Sequence, residues 1–398
     1  IVGPAVAFAL AVAFARLLLR RAGPWPALFA FPSAWTAYEF LLSRLSPHGT
    51  FGSLAYSQMD LLPVIQAVSL AGFTGVTFLL TLVPSAAAMA WRLRGRRAQA
   101  AAILAAGAVP LLLALAYGWI RLAQPAGEPA VRVGLAATDQ TVNRFQTEER
   151  AEAIPVVKAY ARRAEALAAR GAGVAVLPEK FAGIAPAYAA EAYKMLSDAA
   201  RASGIPVIAG LNWAGTTPRR NVAVAFTPNG RYLEYDKAFF IPGLEDGYRG
   251  GNRPLVFPLA GVPAGVAICK DMDFPAWTRR YALEGARVML VPAWDFGDDA
   301  WLHARMAVLR GVEGGFAVAR TAQEGRLTVS DVCGRILAEK RSGSSDEVYL
   351  ECAVPAGPGG TLYGRWGDWF GWLAVAASAA GMLLLSRPRT AGAGTAKP

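Results

Sequence analysis

Two textures alternate along this chain. Long apolar runs occupy residues 1–19, 24–42, 61–91, 99–120 and 369–385, each near the ~20 residues that a helix needs to cross a hydrocarbon core. The second is interrupted by prolines and carries Glu39. Between the fourth and fifth runs, after the Pro/Gly linker QPAGEPA (124–130), short apolar stretches alternate with amphipathic ones. Strands are predicted over 131–138, 173–179, 206–213, 222–237, 262–269, 288–294, 316–321, 326–339 and 348–355, with PNG as a hairpin turn inside the fourth. Helices are predicted over 147–170, 187–202, 275–285 and 299–313, the first capped by the Thr147 hydroxyl with Glu148 and Glu149 at its positive end. Such alternation means a layered α/β domain with buried sheets.

Composition agrees with a chain that meets lipid, since 54% of its residues are apolar. The chain opens on Ile1, inside an apolar run, which is read as a truncation with earlier spans missing, and no cleavable signal peptide is recognisable. The net charge of +11 falls where topology would put it. Arg20 and Arg21 follow the first span, RLRGRR (92–97) joins the third to the fourth, and Arg387, Arg389 and Lys397 follow the last. With these loops cytoplasmic, residues 46–60 and about 125–365 lie on the opposite side. No basic patch with interleaved aromatics argues for nucleic acid, and no phosphate-binding or dinucleotide fingerprint occurs.

Three predicted strands end in residues that are costly at a strand end unless they have work to do: Glu179, Lys237 and Cys269. A thiolate attacks carbonyls, a carboxylate can take the thiol proton, and a fixed cation can stabilise both thiolate and oxyanion. Taken alone, Cys269 reads first as a small buried hydrophobe and only second as a nucleophile. The only histidines, His48 and His303, lie far away in sequence, His303 reading as a structural helix residue rather than a base. The three cysteines and two histidines show no zinc spacing. Cys333 and Cys352 read as structural, with a disulfide between them left open.

The contexts VAVLPE, YDKAFFIPGLE and GVAICKD resemble the Glu-Lys-Cys signatures of the nitrilase superfamily, in order and spacing. With spans on both sides, the chain is similar to the apolipoprotein N-acyltransferase family. PALFAFPSAWTAYEF resembles that family's span with a Glu near its end, LAYSQ its periplasmic loop, and AWDFGDDAWLHARMAVLRGVEGG its stretch after the cysteine. The resemblance implies an α/β fold, a nitrilase-like α-β-β-α sandwich inserted between transmembrane α-helices. The divisions are a membrane region of four spans over 1–122, a non-cytoplasmic catalytic domain over 130–356, a C-terminal transmembrane helix over 366–386 and a disordered cytoplasmic tail over 387–398.

By the same resemblance Glu179 is the general base, Lys237 the stabiliser of thiolate and oxyanion, and Cys269 the nucleophile. Glu245 would position the lysine and the substrate amine, the Lys270 N–H would complete the oxyanion hole, and Asn221 would be structural. The reaction implied moves an acyl chain from a phospholipid, through a Cys269 thioester, to the amine of a diacylglyceryl-cysteine lipoprotein. Neither cofactor nor metal is implied, and the expected state is a monomer in the bacterial inner (plasma) membrane. The family has an aromatic and then a glutamate after the cysteine, where this chain has Lys270 and Asp271, the aspartate standing in for the acid. The loop 46–58 and the VPAW turn (291–294) also depart from the pattern. A membrane-tethered carbon–nitrogen hydrolase or amidase, or a catalytically inactive nitrilase-like binding domain, are the alternatives. An active enzyme is expected to carry an accessible thiol of lowered pKa.

Overall fold

The computed structural model describes residues 2–125, 127–343 and 347–386. The tail expected over 387–398, including Arg387, Arg389 and Lys397, lies outside the described residues. The chain divides into two compact units, one drawn from Ile1–Leu41, Thr74–Leu113 and Trp369–Pro398, the other from Leu42–Phe73 and Ala114–Asp368.

The first unit is helical. Val2–Ala22, Val68–Arg92, Arg97–Leu122 and Trp369–Ser386 are long and apolar enough to cross a membrane, and the chain is a membrane protein. The expected span 24–42 is also a helix, Pro24–Leu45, but it falls outside that apolar set because its prolines, hydroxyls and Glu39 hold down its hydropathy. Glu39 is tolerated because it is satisfied internally: Thr77 Oγ1 donates to its Oε2 at 2.8 Å and Trp35 Nε1 to its Oε1 at 2.9 Å. A buried carboxyl without such donors would be expensive. Small residues let the helices approach, as at Gly107, where a Cβ would lie 2.4 Å from that of Ala86.

The expected span 61–91 is not one helix. A short helix, Leu62–Ile65, precedes Val68–Arg92, and within the latter Gly72 adopts φ 67°, ψ −175°. That conformation is open essentially only to glycine. A Cβ there would also lie 2.7 Å from Tyr363 Cε2. The break turns the Phe73 N–H onto Glu313 Oε1 at 2.8 Å. Gly72→Ala is therefore expected to cost about 2–4 kcal/mol, read as a lowered thermal midpoint in detergent.

The second unit holds two β-sheets. Its strands are β1 (Ala130–Ala137), β2 (Val174–Val176), β3 (Ala182–Ile184), β4 (Val207–Trp213), β5 (Arg220–Phe226), β6 (Tyr232–Asp236), β7 (Leu255–Leu259), β8 (Val262–Val266), β9 (Val288–Trp294), β10 (Ala317–Gln323), β11 (Arg326–Ser330), β12 (Ile336–Arg341) and β13 (Val348–Pro355). One sheet runs β13-β1-β2-β4-β5-β6 with β3 beside β4, the other β12-β11-β10-β9-β8-β7. Alternation along β1 shows how they pack: Val131, Val133, Leu135 and Ala137 enter the core between the sheets, while Ala136 lies in the layer beneath helices Arg150–Ala169 and Ala189–Ser203. Trp277 and Tyr281 of Pro275–Leu283 and Ala307 of Ala300–Gly314 belong to the same core cluster as the strands of the second sheet. This is the expected α-β-β-α sandwich.

The expectations missed β3 and β7. The first is three residues long and the second carries Pro258, which an edge strand tolerates. The single strand expected over 326–339 is a hairpin, β11 and β12. Thr147 is not the helix cap: a 3₁₀ helix, Asp139–Gln146, ends there, and the α-helix starts at Arg150. The Thr147 hydroxyl accepts instead from the Glu149 N–H at 3.1 Å. Cys333 and Cys352 are free thiols.

Candidate active site

Parallel strands put their C-terminal ends on one side of a sheet, and the loops after β2 and β8 leave on that side. Glu179 lies three residues beyond β2, Lys237 directly follows β6, and Cys269 lies three residues beyond β8. Hydrogen bonds tie the Glu179 loop to the other sheet. The Glu179 N–H donates to the Ala293 carbonyl at 3.3 Å, and Gln323 Nε2 donates to the Glu179 carbonyl at 2.9 Å.

Lys237 is fully buried, and its Nζ donates to Glu179 Oε1 and to Glu245 Oε2, both at 2.8 Å. An ammonium carries three donors, so one N–H remains for a reacting group. Asn221 Nδ2 donates to Glu179 Oε1 at 2.6 Å and to Glu245 Oε1 at 2.9 Å. The Ile241 N–H adds a bond of 3.0 Å to Glu245 Oε2. Glu179 Oε2 has no hydrogen-bond partner among the described residues, which leaves it open to receive a proton. Burial works against the Lys237 cation, but the carboxylates of Glu179 and Glu245 outweigh it and hold its pKa well above the ordinary lysine value. Burial likewise raises the Glu245 carboxyl, yet Lys237 and Lys180 together bring it down to about 2.

Cys269 opens a 3₁₀ turn, Cys269–Asp273, at φ 42°, a strained conformation for a residue with a Cβ and one that clusters at functional sites. Its thiol donates to the Trp294 carbonyl at 3.4 Å. The Lys270 N–H lies in the first turn, where backbone donors lack an intrahelical acceptor. Cys269 is 4% exposed. Burial, and then the Glu179 carboxylate, push its thiol well above the ordinary value, against the pull of Lys237 and Arg320. The expectation of an accessible thiol of lowered pKa is thus corrected: the thiol is nearly enclosed and its pKa is raised. Burial dominates because a thiolate there would lose its water.

The two residues after the cysteine face inward. Lys270 Nζ lies 3.5 Å from Asp273 Oδ2, so its buried side chain is engaged by a carboxylate of its own turn. Asp271 joins the lysine and cysteine segments: its Oδ1 accepts from the N–H groups of Ala238 and Phe239 at 3.0 and 2.9 Å, its Oδ2 from Tyr235 Oη at 2.6 Å and the Ile268 N–H at 3.0 Å. Asp271→Asn would turn an amide NH₂ toward two of those donors and should cost about 3–5 kcal/mol, since bonds to a charged group contribute about 1.5–3 each. Burial, only partly opposed by Tyr235, raises the Asp271 carboxyl from 3.8 to about 6. A folded-state pKa above the unfolded one gives stability that is present below pH 3.8 and lost as pH rises through about 6. Thermal melts across that window should show this slope in the parent protein and not in the Asn variant.

A second charged group lies behind the thiol. Arg320 makes a two-pronged bond to Asp295, with Nη1 donating to Oδ2 at 2.7 Å and Nη2 to Oδ1. His303 Nδ1 lies 3.6 Å from Asp295 Oδ1. Ligand-capable atoms of Cys269, Asp295 and His303 lie within 4.8 Å of one another, so separation in sequence did not keep His303 from the cysteine. Both Asp295 oxygens already serve as counter-ion to a buried guanidinium, and this arrangement fits a positioning role better than a metal ligand set. Sequence reasoning passed over Lys180, Asp295 and Arg320. A lysine beside Glu179 and an aspartate directly after the VPAW turn were the available signals.

The chain belongs to the carbon-nitrogen hydrolase family, whose sequence profile matches residues 132–350. Residues 1–87 match a second profile, the apolipoprotein N-acyltransferase N-terminal domain. Similar proteins include the apolipoprotein N-acyltransferases of Geobacter metallireducens, 26% identical over 392 residues covering 88% of this chain and 73% of that protein, and of Gloeobacter violaceus, 28% identical over 383 residues covering 88% and 70%. Among solved structures, a mutant of the Nesterenkonia AN1 amidase from the nitrilase superfamily matches with a TM-score of 0.50 at 20% identity, over 61% of this chain and 96% of that one. That likeness concerns the fold alone.

Proposed function

We propose that this protein is an N-acyltransferase that carries a fatty acyl chain from a phospholipid, as a thioester on Cys269, to the N-terminal amine of a diacylglyceryl-cysteine lipoprotein. The observation that supports this best is the joining, in one chain, of a carbon-nitrogen hydrolase domain holding a thiol, an acid and an amine to membrane helices similar to those of apolipoprotein N-acyltransferases. The donor, the acceptor and a monomeric state are part of the proposal. So are a bacterial inner-membrane location and a periplasmic catalytic domain over 130–356, argued from the arginines of the loops after residues 19 and 91.

In the first half-reaction Glu179 Oε2 takes the thiol proton as Sγ attacks the ester carbonyl. The resulting oxyanion is met by the spare N–H of Lys237 and the Lys270 N–H. The C–O bond breaks, Glu179 returns the proton to the leaving lysophospholipid hydroxyl, and the acyl group remains on sulfur. In the second half, the lipoprotein amine loses a proton to Glu179 and attacks the thioester. The C–S bond breaks and the proton returns to sulfur. A raised thiol pKa makes the bare thiolate a poor leaving group, so both halves of the cycle depend on the proton that Glu179 takes and returns.

The test is intact-protein mass spectrometry of the purified protein after incubation with a phospholipid of known chains. An adduct of one acyl mass on Cys269, discharged by a synthetic diacylated lipopeptide and missing from Cys269→Ser, supports the reading. Absence of any adduct, or discharge only to water, overturns it.

A further inference from the structure

Beside the acid of the site lies a second lysine. Lys180 directly follows Glu179 and has φ 49°, so the chain accepts a strained backbone to deliver this side chain. The side chain is 5% exposed, and its Nζ lies 2.5 Å from Glu245 Oε1. It also lies 4.6 Å from the ring centre of Tyr248 and 5.5 Å from that of Phe145, a setting that favours a cation. A solvated surface lysine would show none of this.

We propose that Lys180 is a positioning residue for the acylation step: it holds one oxygen of Glu245, so that Lys237 is shared between fixed carboxylates and keeps an N–H for the reacting carbonyl. The inference rests on the proposed roles of Glu179 and Cys269. The charges support it. Glu179 and Glu245 bring two negative groups into a water-poor space, and Lys237 alone would leave one of them uncompensated. Lys180 makes the set neutral. Two lysines hold the Glu245 carboxyl down at about 2, so it stays ionised wherever the enzyme would work. The groups facing Glu245 are Lys180 from the loop after β2, Lys237 after β6 with Glu179 across it, Asn221 of β5, and the Ile241 N–H of its own loop.

Without Lys180, Glu245 would bind a proton more readily and draw Lys237 toward itself whenever ionised. The uncompensated charge would also oppose the thiolate.

The experiment compares the parent protein with Lys180→Met and Lys180→Arg in two readouts across about pH 6–11, a window that reaches above the reference thiol pKa because burial raises the Cys269 thiol. One is the rate of Cys269 alkylation by iodoacetamide; the other is the rate of acyl-adduct formation from phospholipid. Lys180→Met should slow adduct formation roughly 10- to 100-fold and move the acid limb of the alkylation profile upward by about one pH unit, with Lys180→Arg near the parent in both. A purely structural role would lower the folded fraction without moving the limb. An unmoved limb, or an Arg variant as impaired as the Met variant, overturns the proposal. Alkylation needs no lipid, so a shifted limb in a protein that never forms the acyl adduct would sink the proposed function while leaving in place the coupling of Lys180, through Glu245, to the thiol.

Discussion

Glu179→Gln should slow formation of the acyl adduct on Cys269 by roughly 10²- to 10⁴-fold, the usual contribution of a positioned base, while leaving the fold in place. The geometry makes this substitution unusually clean. Glu179 Oε1 accepts from Asn221 at 2.6 Å and from Lys237 at 2.8 Å, and a glutamine carbonyl can accept both. Only the unengaged Oε2 is replaced, by an NH₂ that cannot receive a proton. The measurement is single-turnover adduct formation followed by intact mass, with alkylation at high pH to verify that the thiol is still reached. A variant that acylates at the parent rate would remove Glu179 from the mechanism.

Lys237→Met should be more damaging, because it removes catalytic and structural support together. Loss of a donor to a developing oxyanion costs roughly 10²–10³ in rate. In addition, Glu179 and Glu245 would be left buried without the ammonium that both contact, and breaking a buried ion pair from one side costs about 3–5 kcal/mol. The thermal midpoint should fall with the activity. Adding Glu179→Gln to Lys237→Met should recover part of the lost stability, since the second change discharges one orphaned carboxylate. Simple addition of the two losses would show that the groups do not act as a unit.

The candidate acid, amine and thiol were legible in sequence because each ends a predicted strand, where a charged or thiol side chain is out of place. The strands that deliver them were legible for the same reason, by period and length. What could not be read was determined by proximity between distant segments. The raised thiol pKa follows from burial by two sheets, which no local pattern encodes. Lys180, next to a glutamate, has the look of a solvated charge until Glu245, 65 positions away, closes on it. His303 and Asp295 belong to a helix and a strand end, and only the stacking of β9 beside β8 brings them to the cysteine. The break at Gly72 was hidden because a glycine inside an apolar run is common, and the groups packed against it, Tyr363 and Glu313, come from distant segments.

The acid of the site stands on one sheet and the thiol on the other, and bonds from Ala293 and Gln323 grip the acid's own backbone. Reactivity therefore cannot precede closure of the sandwich. The acid's sheet includes β13, the last strand of the chain, so it is finished only after the sulfur's own strands exist. A partly folded chain therefore holds the base or the sulfur but not the pair, and completion of the fold is itself the event that arms the site.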